Sequence, residues 1–426
     1  MVAKRTCVVW IAAAVAAGSV ARAAPPELPL MIDSPPQLQF VHEVVERRID
    51  RGQLVGAVTW IALDGKVIHH QPHGLANRES GQAMRPDCLF RIHSFTKAIS
   101  TTAAMILWEQ GRFQLDDDVA KYLPEFADTQ VSQGEGTGPP RRAMTIRDLM
   151  RHTSGIVYPN EQGSATERAY AARNLFSSDR SLAELTTEIA RLPLEFSPGE
   201  QWKYGMSIDV LGRLVEVWSG QPFEEYLRQQ IFAPLGMVDT DFYVPQQKRT
   251  RLATLYEQAE NGDLQPRDGL DPAARDYVPS SSPRLCMPGG GLFSTAADYG
   301  AFLQMIADQG SHAGGRLLQA KTVALMSTDQ LPDTIACIGF DVPRDGFGFG
   351  LGFNVVTNRS RWDRSARVGE MGWGGAASCH YWIWPPNRLI VITLESTKPY
   401  NFNLEWALKS RIYDAVDSLG VERPTD

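Results

Sequence analysis

The stretch Cys88-Leu-Phe-Arg-Ile-His-Ser94-Phe-Thr-Lys97-Ala-Ile-Ser-Thr-Thr-Ala-Ala-Met-Ile-Leu-Trp-Glu109 changes character in its middle. Up to His93 it reads as an extended apolar approach. Beyond Ser94, Ile99, Ala103, Ile106 and Leu107 recur at three- and four-residue spacing among small Ala and Thr residues, the pattern of a buried helix. Serine is a favoured helix N-cap, so Ser94 is expected at the strand-to-helix junction. Residues three apart share a helix face, which brings the Lys97 amine within reach of the Ser94 hydroxyl. A serine hydroxyl is a weak nucleophile until a base takes its proton. Lysine can be that base only when neutral, a state favoured by burial or a cationic neighbour. A helix N-terminus at this point would also aim backbone N–H groups at a developing oxyanion. Ser-x-x-Lys is common by chance, and a cap beside a surface charge would look the same. Here it occurs once, and its lysine opens an otherwise apolar helix.

The 426 residues are 43% hydrophobic and 21% charged, which fits a globular protein of one large or two ordinary domains. At the N-terminus, Lys4 and Arg5 precede an apolar run from Cys7 to Ala17, and Ala21-Arg22-Ala23 has the small-x-small form of a cleavage site. This predicts a secretory signal peptide over 1–23 and export to the periplasm or medium. The run is short for a membrane anchor, which needs about 18 apolar residues, and no second segment approaches that length. Removing Lys4, Arg5 and Arg22 from 42 basic residues leaves 39 against 49 acidic ones, a net charge of −10. That balance disfavours nucleic acid and anionic membrane surfaces as partners. Cys88, Cys286, Cys337 and Cys379 are too sparse for a disulfide scaffold and contain no Cys-x-x-Cys zinc motif, and their disulfide state is left open.

Working outward, residues 24–36 are Pro-rich and read as an extended lead-in. Residues 37–51 read as a helix with Leu38, Val41, Val44, Val45 and Ile49 on one stripe. Two strands, 55–63 and 66–71, flank Asp64-Gly65, a strong hairpin signal. His69, His70 and His73 follow; they are either a strand edge or part of a metal site whose other donors the sequence does not identify. Residues 112–285 are helix and loop. Asp116 to Asp118 read as an acidic helix start, Thr145 caps a helix over 145–151, and further helices lie near 181–192, 206–219 and 222–235. The segments 128–141 and 236–285 read as loops. Later, Gly289-Gly-Gly291 precedes a helix over 296–308. Gly346-Phe-Gly-Phe-Gly-Leu-Gly352 leaves one strand face bare for close approach of backbone or ligand. Strands are expected at 367–370, 376–384 and 388–394, and a closing helix at 403–419. There are no internal repeats. Strands early and late around a helical middle predict an α+β fold. Its central antiparallel sheet is built from 37–111 and 286–426, with a helical insertion over 112–285 and the site between them.

Two further stretches suit a site. Tyr204, in Pro198-Gly-Glu-Gln-Trp-Lys-Tyr204-Gly-Met206, stands just ahead of a helix, where it can either point its phenol into a cleft or anchor a loop. Gly372-Trp-Gly-Gly-Ala376 is either a tight turn or bare backbone against which a substrate can lie, with an N–H to complete an oxyanion pair with Ser94.

Taken together, Ser94-Phe-Thr-Lys97, Thr145-Ile-Arg-Asp-Leu followed by His152-Thr-Ser-Gly155, Tyr204 after Pro198-Gly199, Gly289-Gly-Gly291-Leu-Phe-Ser-Thr and Gly372-Trp-Gly-Gly-Ala376 resemble the serine β-lactamase and penicillin-binding-protein superfamily. The order and spacing are most similar to the class C-like branch with the family VIII carboxylesterases, over about residue 37 to the end. The resemblance implies a β-lactamase-like fold and acyl transfer with no metal or cofactor. It implies Ser94 as nucleophile, Lys97 and Tyr204 sharing the proton work, and the N–H groups of Ser94 and Ala376 as the oxyanion hole. Two departures bear on substrate. Met206 stands where the family often has an asparagine that binds an acyl amide. Trp373-Gly374-Gly375 stands where Lys-Thr-Gly or His-x-Gly would help hold a substrate carboxylate. An aromatic wall replaces a cation, which favours small neutral esters, with Trp373, Gly374, Gly375 and Met206 as substrate-binding candidates. A β-lactamase or D-amino-acid peptidase and a non-catalytic penicillin-binding sensor are the competing readings. An α/β-hydrolase is disfavoured by the lack of Gly-x-Ser-x-Gly.

Overall fold

The computed structural model describes residues 31–32, 34–134, 136–267 and 276–419. The expected signal peptide over 1–23 and most of the Pro-rich lead-in lie outside the described residues. Among the described residues no helix is long and apolar enough to cross a membrane.

Strands from both ends of the chain make one antiparallel sheet. Helices α1 (Phe40–Asp50), α2 (Thr96–Glu109), α4 (Ala296–Ala307) and α5 (Asn403–Ser418), from the two ends of the chain, cover its two faces, and α3 (Ser207–Ser219), from the middle of the chain, packs against α2. The strands are β1 (Gly56–Leu63), β2 (Lys66–Asn77), β3 (Gln82–Ala83), β4 (Phe347–Phe349), β5 (Asn354–Val356), β6 (Met371–Gly375), β7 (Cys379–Trp384) and β8 (Leu389–Leu394). Their spatial order is β4-β5-β6-β7-β8-β1-β2-β3. The N-terminal hairpin therefore joins the C-terminal meander through the β1–β8 pair, with Trp60 opposite Ile392. Asp64 and Gly65 both have positive φ, 49° and 77°, as a two-residue hairpin turn of the primed type requires.

Side-chain alternation explains why β1 reads as one continuous apolar run. Val58, Trp60 and Ala62 enter the core that holds α2 and α4, while Ala57, Ile61 and Leu63 enter the core of α1 and α5. β7 and β8 divide in the same way: Tyr381, Ile390 and Ile392 face α2 and α4, and Trp382, Leu389 and Val391 face α1 and α5. A sheet buried on both faces needs both positions apolar. Each of the Val, Leu and Ile side chains among them contributes about 1.5–3 kcal/mol on full burial.

Several expectations are corrected. Residues 367–370 form a turn, and the strand is the glycine-rich segment β6 itself, for which a tight turn was one of the two alternatives. Glycines lower strand propensity, but Gly372 is required there, since a Cβ would lie 2.4 Å from the Tyr381 carbonyl oxygen on β7. The 128–141 loop contains a small hairpin, Val131–Gln133 with Gly136–Gly138. The loop 236–285 contains another, Leu255–Gln258 with Leu264–Arg267, to which Thr397–Lys398 adds a parallel strand. These strands are short and polar, so period-two alternation had no room to show. The helix expected over 222–235 is interrupted by a π-turn at Arg228–Phe232. The Gly346–Gly352 glycines accommodate protein rather than ligand: a Cβ would meet Asp329 at Gly348, the Met326 carbonyl at Gly350 and Thr101 at Gly352. Asp116 pairs with Arg147 at 2.7 and 2.9 Å and Asp117 with Lys121 at 3.0 Å, so two of the three acidic side chains are held in ion pairs. All four described cysteines are free thiols, with Cys337 half-buried and the others buried.

Candidate active site

Ser94 lies in a short 3-10 turn, His93–Phe95, just before α2. It is not the helix cap expected from sequence: α2 starts at Thr96, Phe95 takes the cap position, and no side chain caps it. The turn is entered through His93 at φ 44°, a left-handed conformation that costs a non-glycine residue of order 1–3 kcal/mol. The preceding strand Phe90–Arg91 is clamped by Phe293–Ser294, and the Tyr299 hydroxyl donates to the Phe95 carbonyl at 3.0 Å. Apolar packing of α2 on the sheet thus fixes the serine in a backbone that capping preferences do not describe.

Lys97 follows one turn later and is 2% exposed. Its Nζ donates to Ser94 Oγ at 3.3 Å, to Tyr158 Oη at 2.9 Å and to the Gly289 carbonyl. Gly289 is in turn held by Asp209 of α3, whose Oδ1 accepts from the Gly289 N–H at 2.8 Å. A Cβ at Gly289 would lie 2.5 Å from Asp209 Oδ2, so the glycine motif exists to let this loop reach both the lysine and the aspartate. Burial pushes the Lys97 ammonium down, as expected. The Tyr158 and Tyr204 phenols and Asp209 push it up by more, to about 12. The resting lysine is therefore charged, contrary to the neutral base that burial alone suggests. His152, completely enclosed beside it, is held far below its ordinary value by burial and by the charge of Lys97.

Tyr204 reaches the same place from the segment ahead of α3. Its ring centroid lies 4.8 Å from Lys97 Nζ and 4.7 Å from the His152 ring, and its hydroxyl accepts from Trp373 Nε1 at 3.1 Å. Gly205 is needed for that approach, because a Cβ there would lie 2.1 Å from the Ile156 carbonyl oxygen. The same contact presses the Tyr204 segment onto the loop that carries Tyr158, with the two rings 5.5 Å apart.

A cavity of about 280 Å³ opens beside these groups, walled by Ser94, Tyr158, Tyr204, Phe340, Trp373 and Tyr400. Gly374 and Ala376 also line it. Gly375 does not: a Cβ would lie 2.6 Å from the Ile92 carbonyl oxygen, so it seats the end of β6 against the turn that carries Ser94. Met206 is a second correction. It is fully buried in the main core and forms no part of the wall, because the residue preceding α3 turns inward.

The cavity continues to groups that sequence reading missed. Arg344 lies over the rings of Phe340 and Trp362, at 4.6 and 4.2 Å, and has no carboxylate within ion-pair distance among the described residues. Deeper, Lys409 of α5 meets Asp363 at 3.0 Å, Glu370 at 2.8 Å and Glu405 at 2.5 Å. Tyr158 and Arg344 sit in irregular loops where no periodicity marks them. Lys409 left a trace, since it adjoins the apolar stripe Leu404, Leu408 and Ile412 and stands four residues after Glu405.

A family model described as Beta-lactamase matches residues 41–409. Protein Rv1367c of Mycobacterium tuberculosis is 35% identical over 81% of this chain and 86% of its own length. Esterase EstB of Burkholderia gladioli is 30% identical over 87% of this chain and 93% of its own. Among solved structures, EstCE1, described as a hydrolase with promiscuous acyltransferase activity, superposes with a TM-score of 0.76 at 27% identity, covering 89% of this chain and 98% of that one. With its antiparallel sheet between helical layers and these likenesses along nearly its whole described length, the chain belongs to the β-lactamase family and is a serine hydrolase of β-lactamase-like type.

Proposed function

We propose that the protein is an exported esterase that cleaves small neutral carboxylic esters through an acyl-enzyme on Ser94. The observation that carries this reading is the pair of hydrogen bonds from Lys97 Nζ to Ser94 Oγ and Tyr158 Oη, beside an aromatic cavity that Ser94 and Tyr158 line. The names of EstB and EstCE1 support the same chemistry. Ser94 Oγ attacks the ester carbonyl carbon, and the carbonyl π pair moves to its oxygen, where the N–H groups of Ser94 and Ala376 receive it. A charged Lys97 cannot take the serine proton. Tyr204 instead passes one along, accepting from Ser94 on its phenol oxygen while giving its own to the leaving alkoxide. The alcohol departs as the acyl–oxygen bond breaks. Water repeats the sequence in reverse and frees the acid. Lys97 holds Ser94 and Tyr158 in place and offsets negative charge along the path. Trp373 supplies the face against which an apolar acyl or aryl group packs, and its indole N–H orients Tyr204. The reading has the site between a sheet domain, 37–111 with 286–426, and a helical domain, 112–285.

One observation favours a second reading. The Arg344 guanidinium lines the cavity and could meet the carboxylate of a β-lactam or a D-amino-acid peptide, a role that Trp373 cannot fill. Comparing kcat/KM for p-nitrophenyl butyrate and nitrocefin on wild-type and Ser94→Ala protein separates the two. Ester turnover far above nitrocefin turnover, lost in Ser94→Ala, is expected. The reverse ratio, together with its collapse in Arg344→Met, would establish the second reading.

A further inference from the structure

The strand histidines sort onto different faces of the sheet. On β2, residues 69, 71 and 73 share a face and His70 takes the other. The first face is the one covered by α1, and α1 presents His42 and Glu46, four residues apart on one side of the helix, to His73. Among the described residues these three form the only group of His, Cys, Asp or Glu side chains whose donor atoms all lie within 4.8 Å of one another. His42 Nδ1 and His73 Nδ1 are 3.3 Å apart. Glu46 Oε1 stands nearly equidistant, 3.9 Å from the first and 3.8 Å from the second.

Those distances are informative. Nitrogen and oxygen ligands about 2.0–2.2 Å from a tetrahedral zinc ion lie about 3.3–3.5 Å from each other. The two imidazole nitrogens already have that separation, and the carboxylate must close by about half an ångström. A direct hydrogen-bonded triad would instead bring Glu46 within about 3 Å of a ring nitrogen.

A second layer of groups orients the buried member. Thr59 Oγ1 of β1 lies 2.8 Å from His73 Nε2 and 2.7 Å from His69 Nε2, and the far nitrogen of His69 meets Ser34 Oγ. A threonine hydroxyl has one proton to give. If His73 Nε2–H donates to Thr59, Thr59 donates to His69 Nε2 and His69 Nδ1–H donates to Ser34, every group in the chain is satisfied. The lone pair of His73 Nδ1 is then left facing His42 and Glu46. This is how metal-ligating imidazoles are held, by a hydrogen bond at the other nitrogen. Access is provided by a gradient of exposure, with the side chains of His73, Glu46 and His42 being 0%, 36% and 65% exposed. A fourth position would be left to water.

We propose that His42, Glu46 and His73 form a divalent-metal site, best suited to zinc, that is separate from Ser94 and pins α1 to β2. Two imidazole nitrogens and one carboxylate oxygen suit zinc over the oxygen-seeking magnesium and calcium. Zinc bound only by the folded chain would stabilise it.

The test is titration of the untagged full-length chain with Zn²⁺ against a chromophoric chelator, with ester turnover and far-UV circular dichroism as fold controls. One zinc per chain is expected, with a zinc-dependent rise in Tm. The exposed variant His42→Ala should keep fold and turnover, weaken binding by more than 100-fold and lose the rise in Tm. Thr59→Val should weaken binding by about 10–100-fold, the usual cost of an outer-shell partner. Substoichiometric binding by the wild type, or a loss of less than tenfold in both His42→Ala and Glu46→Gln, would overturn the site.

Discussion

Two buried lysines lie at or beside the cavity, and their surroundings differ. Lys409 is met by three carboxylates, Asp363, Glu370 and Glu405, within ion-pair distance. Lys97 is met by a hydroxyl, a phenol and a peptide carbonyl, with no carboxylate within ion-pair distance among the described residues. Both ammonium groups are held above their ordinary value. At Lys409 the cause is net negative charge, and burial still raises Glu370 and Glu405. At Lys97 two of the partners, the Ser94 hydroxyl and the Tyr158 phenol, can themselves give or relay a proton. A buried charge wrapped in carboxylates ties α5 to the loop before β6. A buried charge wrapped in hydroxyls positions a nucleophile.

The contrast can be broken at either end. Lys97→Met is expected to lower kcat/KM for p-nitrophenyl butyrate by at least ~10⁴-fold, the scale of losing one member of a concerted catalytic unit, while leaving the unfolding transition cooperative. Retained turnover would reduce Lys97 to a structural lysine like Lys409. Lys409→Met should do the opposite. Leaving three carboxylates without their cation costs about 3–5 kcal/mol of stability, read by urea unfolding, with turnover per folded molecule within about tenfold of wild type. Tyr204→Phe keeps the ring against Lys97 and Trp373 but removes the proton relay, so kcat should fall by about 100-fold; an unchanged kcat would pass the relay to Tyr158. The smallest effect is in pH. A Lys97 raised to about 12 from 10.5 contributes about 2 kcal/mol. That contribution is complete below pH 10.5 and is lost as pH rises from 10.5 toward 12. The stability of wild type relative to Lys97→Met should therefore fall between pH 9 and pH 11.5; a constant difference would contradict the upward shift, and a rise with pH would mean a neutral Lys97.

What sequence reading reached and missed follows from the range of the forces involved. Local patterns carried far: the Asp64-Gly65 hairpin, the helix at 146–150 with its Thr145 and Asp148 capping box, and the closing helix all lie where periodicity and capping chemistry put them. The cluster of Ser94, Lys97 and Tyr204 was legible because motif spacing survives in one dimension. Three features were not. Ser94 was expected to cap a helix, but α2 is positioned by burial on the sheet and not by its own end. For Lys97, the burial expected from sequence pointed only toward the neutral state a base requires, and the groups that raise it, Tyr158 and Asp209 among them, come from distant segments that sequence cannot bring near. Met206 was expected at the substrate, but it faces the core, since the direction of a single side chain before a helix depends on packing. The His73 partners show the same limit, because His42 and Glu46 are adjacent only after α1 folds over β2.

The central claim is that acyl transfer passes through Ser94. Its most direct test is rapid quench of wild-type protein with excess p-nitrophenyl butyrate, followed by intact-mass and peptide mass analysis. One butyryl group on the peptide containing Ser94, formed in a burst and absent in Ser94→Ala, is expected. Turnover that continues with no adduct, or with the adduct on another peptide, would contradict the account.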